Sequence, residues 1–372
     1  MMPSRNIMKH ILTWGFSLVI VCAGLSPATA AGPGDSDGDG IPDAWEINGY
    51  DADGDGIVDV DLPAMGASPY HKDLFVEMDY MPGLLPSAYE LGVIVDSFAQ
   101  LPIVNPDGNR GINLHLDAGP ARGQVYDLGG GNEIPHSDLL GGINSVMQLR
   151  RTDSDPARRG IFHYMVWGDS YQNSSSSGLA WSRGMEFMVT VGPRFWGKAS
   201  PGARVGSFIH ELGHNLGLGH GGRDGVNDKP NYFSVMNYRY QVTGVPRLHN
   251  SNYFGYSTRT LPALDENALD ETRGFGAGAA GYAVEDPRDR SRLIPANGPL
   301  DLNHDGKIST TPVSADLNGD GSLSTLTAIS DAQSLFFPAG TGRRGVGPDG
   351  NAPTVEENEL TAEDARAQGA ID

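Results

Sequence analysis

Cysteine and basic residues are both scarce in this sequence. Of 372 residues only Cys22 carries a thiol, so the chain cannot form an internal disulfide bond. Beyond that position no thiol is present that could coordinate a metal ion and block it. Lys and Arg together number 26 against 46 Asp and Glu, which gives a formal net charge of −20. A chain this acidic repels nucleic acid, and its clustered acids favour bound cations.

Long apolar runs are also missing, except near the start. Arg5 and Lys9 precede an apolar run over residues 11–25, and Ala28-Thr29-Ala30 then supplies the small residues typical of a cleavage site. The run is shorter than the roughly 20 residues that a membrane-spanning helix needs. We therefore predict a secretory signal peptide, and a secreted protein that is not bound to a membrane once the signal is removed.

The sequence HELGHNLGLGH, which starts at His210 and ends at His220, is arranged for metal chemistry. In a helix, His210 and His214 lie on one face, one turn apart, and can share a zinc ion. Glu211 lies between them and is placed to act as a general base on metal-bound water. Gly217 can adopt a positive φ, which ends the helix and turns the chain so that His220 becomes the third ligand.

A second motif, SVMNY, follows the third histidine and contains Met236 and Tyr238. Together the two motifs resemble the signature of the metzincin zinc peptidases, HExxHxxGxxH followed by a Met-turn. The resemblance implies that Met236 forms a hydrophobic floor beneath the three histidines, and that Tyr238 approaches the zinc ion and stabilises the transition state. Gly221 and Gly222 differ from the best-characterised branches, so the branch stays open.

The chain before the zinc motif predicts elements in the order β, α, β, β, β, β, α. Strands are indicated by alternating or continuous apolar residues, and helices by apolar residues at helical spacing. This order is similar to that of the metzincin upper subdomain. The resemblance implies an α+β fold with a twisted five-stranded, mostly parallel sheet, a backing helix, an active-site helix and an irregular lower subdomain. The predicted ranges are 73–80, 87–100 (helix), 111–117, 161–167, 178–182, 185–191 and 202–216 (helix).

The resemblance also assigns a role to the fourth strand. In metzincins this strand is antiparallel, lies at the sheet edge above the cleft and pairs with an extended peptide substrate. An unpaired edge can add one more strand, whose main chain supplies the hydrogen bonds. The alternative is an edge that is simply covered by the Ser-rich loop before it.

Acidic residues cluster directly after the predicted cleavage site. The run DSDGDGIPDAWE has acids at positions 1, 3, 5, 9 and 12 of a calcium loop, and Gly40 at the turn. A second run repeats the pattern sixteen residues later but has Leu62 in place of the closing glutamate. The pair resembles thrombospondin type 3 repeats, and the alternative is a solvated acidic linker. The predicted calcium ligands are Asp35, Asp37, Asp39, Asp43 and Glu46, then Asp51, Asp53, Asp55 and Asp59.

Two further loops, DLNHDG and DLNGDG, resemble EF-hand or dockerin loops. Position 12 is Pro312 in one and Thr327 in the other, and the spacing leaves no room for a helix between them. The pattern therefore favours compact structural calcium loops over a cohesin-binding dockerin, with metal-free Asx-turns as the alternative. The predicted ligands are Asp301, Asn303, Asp305, Asp316, Asn318 and Asp320.

These patterns predict a secreted zinc metalloendopeptidase with one catalytic zinc ion, structural calcium ions and a protein or peptide substrate. Two other hypotheses stay open: an extracellular calcium-dependent binding or matrix protein with a vestigial zinc site, and a zinc hydrolase that acts on another bond. A short helix is predicted near 264–271 and another at 361–368. The predicted parts are a signal peptide (1–30), acidic calcium-binding repeats (31–66), a catalytic domain (67–285), EF-hand-like loops (286–339) and a flexible acidic tail (340–372).

Overall fold

The structure is a computed structural model that describes residues 34–337, 354–356 and 359–371. The predicted signal peptide, with Cys22, lies outside the described residues. A central sheet has the strand order β10-β4-β5-β3-β1-β2, and two small two-stranded sheets pair β6 with β9 and β7 with β8. The strands are β1 (Asp73–Tyr80), β2 (Asn113–Asp117), β3 (Phe162–Trp167), β4 (Gly178–Trp181), β5 (Glu186–Val189), β6 (Leu264–Asp265), β7 (Ala283–Asp286), β8 (Asp289–Pro295), β9 (Thr325–Leu326) and β10 (Val355–Glu356).

Helices cover both faces of the central sheet. Short 3₁₀ turns at Gly119–Arg122, Gln124–Tyr126, Pro156–Arg158, Ala277–Ala279 and Asp331–Gln333 join some of the elements. In the described ranges no helix is both long enough and apolar enough to cross a lipid bilayer. The α-helices are α1 (Asp43–Asn48), α2 (Leu62–Met65), α3 (Ala88–Ala99), α4 (Ile143–Asp153), α5 (Pro193–Trp196), α6 (Pro201–Asn215), α7 (Tyr238–Gln241) and α8 (Ala362–Ala367).

The five predicted strands form a mostly parallel sheet, as expected. Strand β1 pairs in parallel with β2 and β3, and β3 pairs in parallel with β5. Strand β4 is antiparallel to β5, which confirms the expected antiparallel strand at this side of the sheet. Strand β10, only two residues long, pairs antiparallel with the outer edge of β4 and was not predicted.

The strands bury both faces, which is why they have continuous apolar runs. In β3, Met165 and Trp167 face the core that contains α3 and α6, whereas Tyr164 and Val166 face the core that contains α4. Helix α3 begins at a capping box between Ser87 and Glu90, one residue inside the predicted start.

The connection between the predicted strands 111–117 and 161–167 contains a helix that was not predicted, α4. The helix buries only a narrow stripe that includes Ile143 and Val146, so its apolar periodicity is weak. Its third buried residue, Arg150, is held by an ion pair with Glu186 at 2.8 Å and by a hydrogen bond to the Phe162 carbonyl at 2.6 Å. A buried arginine is not an apolar signal, and the pattern therefore hides the helix.

The predicted helix near 264–271 is wrong, since these residues form β6 and turns. Two buried glutamates explain the difference by turning inward to the two DxNxDG loops. Glu266 accepts hydrogen bonds from the N–H groups of Leu317 and Ser324, at 2.6 and 2.9 Å. Glu271 accepts in the same way from the N–H groups of Leu302 and Ser309, at 2.8 and 2.7 Å.

The described part of the tail, for which the sequence predicts flexibility apart from a helix at 361–368, is docked on the rest of the protein. Helix α8 is present inside the predicted range, and Leu360, Ala362 and Ala365 are fully buried. Strand β10 joins the central sheet. The tail is acidic enough to predict a solvated chain, but these small and apolar side chains dock it against the rest of the protein.

Candidate metal centre

The three histidines of the predicted motif come from the end of α6 and from the turn that follows it. Ser200 caps the helix by accepting a hydrogen bond from the N–H of Ala203 at 3.0 Å. At the other end Gly217 has a φ of 83°, and its N–H donates to the His214 carbonyl at 2.9 Å. This left-handed residue turns the chain as the sequence predicts and brings His220 beside the helix.

The imidazole rings of His210, His214 and His220 form a compact group, with ring centroids 4.7, 5.3 and 5.0 Å apart. His210 and His214 donate Nδ1–H to the carbonyls of Val235 and Leu218, both at 2.8 Å. These bonds select the tautomer in which Nε2 keeps its lone pair. The two Nε2 atoms lie 3.0 Å apart, close to the roughly 3.3 Å that separates two nitrogens on a tetrahedral zinc ion.

A fourth group, the carboxylate of Glu359, completes the cluster. Its oxygens lie 2.9 Å from Nε2 of His210, 3.2 Å from Nε2 of His214 and 3.4 Å from Nε2 of His220. The side chains of His210, His214 and Glu359 are fully buried. Four donor atoms at these mutual distances form a set that could hold a metal ion.

The protonation states of this cluster favour a cation. Burial lowers the pKa of the His210 imidazole to about 4, so the ring is neutral at physiological pH. Burial alone would raise the pKa of the Glu359 carboxyl, but positive charge at His210 and His214 outweighs burial and holds that pKa well below its usual range; when the rings are neutral, a bound cation would supply that positive charge. The group therefore presents lone pairs and one negative charge to a common centre, which is the form that binds metals.

Met236 and Glu211 lie close to this cluster, and each is accommodated by a glycine. Met236 is fully buried, and a Cβ built on Gly213 would overlap its sulfur, so Met236 packs against the helical turn that joins the first two histidines. Glu211 is also buried, and a Cβ on Gly178 would overlap its Oε1. The Glu211 carboxylate thus lies against β4, the strand next to the two-residue edge strand β10.

Tyr238 is the first residue of α7 and approaches the histidines from another side. Its hydroxyl lies 3.2 Å from Nε2 of His220 and donates to the Glu359 carboxylate at 3.2 Å. Its ring centroid is 4.5 Å from that of His220. The structure therefore brings Tyr238 and the three histidines together, as the resemblance implies.

The end of α6 is fixed to the sheet by Asn215, the last residue of the helix. Its amide oxygen accepts a hydrogen bond from Nδ1 of the buried His163 at 2.8 Å. Its amide nitrogen donates to the carbonyls of Trp181 and Glu186, at 2.8 and 3.1 Å. These three bonds fix the end of the histidine-bearing helix to strands β3, β4 and β5.

Glu359 is the residue at this site that the sequence analysis does not identify. It lies 139 residues beyond His220 and belongs to no metal-binding pattern. The sequence signal near it is the capping box of α8, formed by Thr361 and Asp364. That signal predicts a helix start but not the surface on which the helix docks.

A second group of possible metal ligands lies in the first aspartate loop. Oxygens of Asp39, Glu46 and Asp73 lie within 4.8 Å of one another, and so do those of Asp35, Asp37 and Asp39. Asp73, at the start of β1, was not predicted as a ligand; its backbone N–H donates to Asp39 at 2.7 Å. The predicted ligand Asp43 instead accepts hydrogen bonds from the N–H and hydroxyl of Ser36, both at 2.7 Å.

The buried carboxylates of this loop are poorly compensated. Both oxygens of Glu46 are buried, and in the described part of the chain neither has a hydrogen-bond partner; Oδ2 of Asp37 is in the same situation. Burial raises the pKa of Glu46 to about 9 and that of Asp37 to about 6. The Lys72 ammonium contacts the Asp37 carbonyl and supplies one positive charge. Asp73 also contacts Nε2 of His115 at 2.6 Å. One ammonium and one imidazole do not balance Asp37, Asp39, Glu46 and Asp73, so the cluster favours a further cation.

The other predicted calcium loops differ from the first mainly in exposure: oxygens of Asp51, Asp53 and Asp59 also lie within 4.8 Å of one another, but these carboxylates are not buried. Asp51 accepts hydrogen bonds from the N–H groups of Gly54 and Gly56 at 2.7 and 2.8 Å, in a loop that is largely exposed. Asp301 and Asp316 accept in the same way from the glycines five residues later. These bonds fit metal-free Asx-turns as well as calcium loops, so calcium at Asp53, Asp55, Asp59, Asn303, Asp305, Asn318 and Asp320 stays a prediction.

Comparison with known proteins does not identify this site. No protein-family model matches the sequence, and no curated protein is significantly similar to it. A function for the chain has to be inferred from the geometry of its own residues.

Proposed function

We propose that this chain is a zinc-dependent endopeptidase similar to the metzincins. The observation that carries the proposal is the convergence of the Nε2 atoms of His210, His214 and His220, two of which are held in the metal-binding tautomer by backbone carbonyls. Imidazole nitrogen is a preferred ligand of zinc, and three histidines are a common set in catalytic zinc sites.

The neighbouring side chains have the chemistry that peptide hydrolysis requires. A zinc ion bound by the histidines would polarise the scissile carbonyl and lower the pKa of a bound water molecule toward ~7. The Glu211 carboxylate, which follows His210 in the helix and is buried against Gly178, would take a proton from the attacking water and deliver it to the leaving amine. The Tyr238 hydroxyl, 3.2 Å from Nε2 of His220, would donate a hydrogen bond to the developing oxyanion.

The position of β4 supports a peptide as the substrate. Glu211 packs against Gly178 at the start of this strand, so the general base and the sheet edge are adjacent. The outer edge of β4 pairs with an antiparallel strand in this structure, which is the geometry that an extended peptide would adopt. A groove of this kind recognises backbone, which suits an enzyme that cleaves within polypeptides.

We propose in addition that the first aspartate loop binds calcium. The support comes from Glu46, whose buried carboxylate oxygens face Asp39 and Asp73 without a hydrogen-bond donor in the described ranges. A hard divalent cation with six to eight oxygen ligands fits carboxylates at this density. The ion would join the N-terminal loop to the first residue of β1 and so stabilise the sheet that carries the zinc site.

One observation favours a second function. Glu359 gives the histidine cluster a fourth protein ligand, and zinc sites closed by four protein ligands are usually structural. On that basis the chain would be a calcium-dependent binding or matrix protein whose zinc ion holds its C-terminal residues in place. The two functions differ in whether the chain cleaves protein.

The test measures metal content and casein cleavage for the purified chain and for its Glu359→Gln variant, since Glu359 contacts the histidines. We expect about one zinc ion per chain and casein cleavage by at least the Glu359→Gln variant. Chelation of zinc should abolish this cleavage, and added zinc should restore it. The matched control is Glu211→Gln in both backgrounds, which should keep zinc and lose cleavage. If zinc-loaded chains of either kind leave casein intact, the peptidase assignment fails and the structural function is favoured.

A further inference from the structure

The described C-terminal residues, 354–356 and 359–371, lie along the cleft in the manner of a bound peptide; we refer to them as the C-terminal segment. The N–H of Ser182 donates to the Thr354 carbonyl at 2.7 Å, and the next two residues pair with Trp181 and Ala180 of β4. Further along, the N–H of Ser177 donates to the Leu360 carbonyl at 2.8 Å. Backbone pairing therefore follows β4 and the residues before it.

The far end of the segment is anchored beside the cleft. The N–H of Ala362 donates to the Ser175 carbonyl at 2.9 Å, and Leu360 and Ala365 are fully buried. Arg366 donates to the Phe195 carbonyl at 2.6 Å, and Gln368 donates to the Tyr238 carbonyl at 3.0 Å. These contacts reach both the Ser-rich loop and the residue proposed to stabilise the oxyanion.

Glu359 lies between these two stretches, where the segment passes the histidines. Its carboxylate oxygens are within 3.4 Å of all three Nε2 atoms, and they accept a hydrogen bond from Tyr238. A carboxylate at this place occupies the position that a water molecule and a scissile carbonyl need during hydrolysis. Water and Glu359 cannot both be the fourth ligand of a tetrahedral ion.

We propose that the C-terminal segment is a built-in inhibitor in which Glu359 is the fourth metal ligand of the resting chain, and that a protein substrate must displace it from β4 to be cleaved. The proposal rests on the proposed peptidase function. The chain has no thiol beyond Cys22 that could block the metal ion, and in this proposal the Glu359 carboxylate is the blocking ligand. Because the segment is part of the same chain, it competes at a high effective concentration, so the resting state is closed and free substrate must outcompete it.

The first experiment reads the metal site without reference to cleavage. Zinc affinity is measured by chelator competition, and the visible spectrum of the Co²⁺-substituted chain is recorded, for the full chain and for Glu359→Gln. The matched control is Glu363→Gln, which removes the same charge from the same segment at an exposed position, where the carboxylate accepts a hydrogen bond from the Ser175 hydroxyl at 2.6 Å. We expect zinc affinity to fall about tenfold or more and the cobalt spectrum to shift for Glu359→Gln alone.

The second experiment fixes the segment in place. Val355 lies directly opposite Trp181, so a full chain with Val355→Cys, Trp181→Cys and Cys22→Ser should form one disulfide across the two strands under mild oxidation. The cross-linked chain should lose casein cleavage, and reduction by a phosphine should restore it. The two single-cysteine chains control for the loss of either side chain.

The outcomes separate this inference from the proposed function. If Glu359→Gln changes neither zinc affinity nor the cobalt spectrum, or if the cross-linked chain cleaves casein as fast as its reduced form, the inhibitor is excluded while a peptidase stands. Failure of the disulfide to form also counts against the placement of the segment. If Glu359→Gln alters the metal site but no form cleaves casein, the ligand assignment stands, the inhibitor is overturned and the peptidase fails.

Discussion

The histidine cluster and the first aspartate loop are both candidate metal sites, but they differ in charge. The histidine cluster combines three imidazoles with one carboxylate, Glu359, whereas the loop combines at least four carboxylates with one ammonium, that of Lys72. Neutral ligands tolerate burial without an ion, while buried carboxylates repel one another. The first site should therefore matter mainly for chemistry and the second mainly for folding.

The largest expected effect concerns chemistry at the histidine cluster. Glu211→Gln removes the proposed general base and should lower kcat by about 10²–10⁴-fold. Zinc content and the melting temperature should stay close to those of the parent, because the amide has the same shape. The measurement is casein or peptide turnover in the Glu359→Gln background, with zinc determined on the same sample. Equal loss of zinc and turnover would instead make Glu211 a structural residue.

The next effect concerns stability and the aspartate loop. Calcium at a hundred times its dissociation constant should raise the free energy of unfolding of the zinc-loaded chain by about 2.7 kcal/mol. Chains loaded with zinc alone should therefore unfold at a lower temperature than chains with both ions. Thermal unfolding with and without calcium measures the difference. Magnesium at the same concentration is the control cation, since it favours a smaller octahedral site. A melting temperature that ignores calcium would contradict the site.

A smaller effect with a change of sign is expected for Glu46→Gln. Without calcium the variant should be more stable than the parent at neutral pH, by roughly 1–3 kcal/mol, because burial raises the pKa of Glu46 to about 9 and its carboxyl must therefore take up a proton on folding, which an amide need not do. With calcium the order should reverse, since a ligand has been lost. Denaturant unfolding under both conditions measures the two differences. The same sign in both conditions would show that Glu46 is not a calcium ligand.

The smallest effect is expected in the second aspartate loop, which serves as the internal control. Asp53 is exposed, and its replacement by Asn should change the free energy of unfolding by less than about 0.5 kcal/mol with or without calcium. Calcium should raise the free energy of unfolding of this variant by as much as it does for the parent. If Asp53→Asn removes the stabilisation by calcium, the stabilising ion lies in the second aspartate loop and not in the first.

Local patterns predicted the parts of both sites that lie within one stretch of chain. Helix α6, the positive φ of Gly217 and the position of His220 follow from spacing and from the backbone freedom of glycine. Strand β1 was predicted to the residue from its apolar pattern. These features depend on interactions between residues that are close in sequence.

The remaining parts were not predictable because their partners are distant in sequence. Glu359 and Asp73 each complete a cluster from another region of the chain, and neither belongs to the motif that it joins. Helix α4 was missed for a related reason, since Arg150 takes a buried position through an ion pair formed only in the folded sheet. Long-range pairing of charges leaves no periodic signal in the sequence.

The two-residue strand β10 also covers backbone groups of β4 that other molecules could otherwise pair with. An exposed sheet edge attracts the edges of other molecules and promotes aggregation, and β10 covers the outer edge of β4 in the resting chain. If substrate enters by replacing β10, one strand is exchanged for another, and the sheet keeps the same number of strands throughout turnover. The segment would then protect the protein from association with its own copies as well as from premature cleavage of its surroundings.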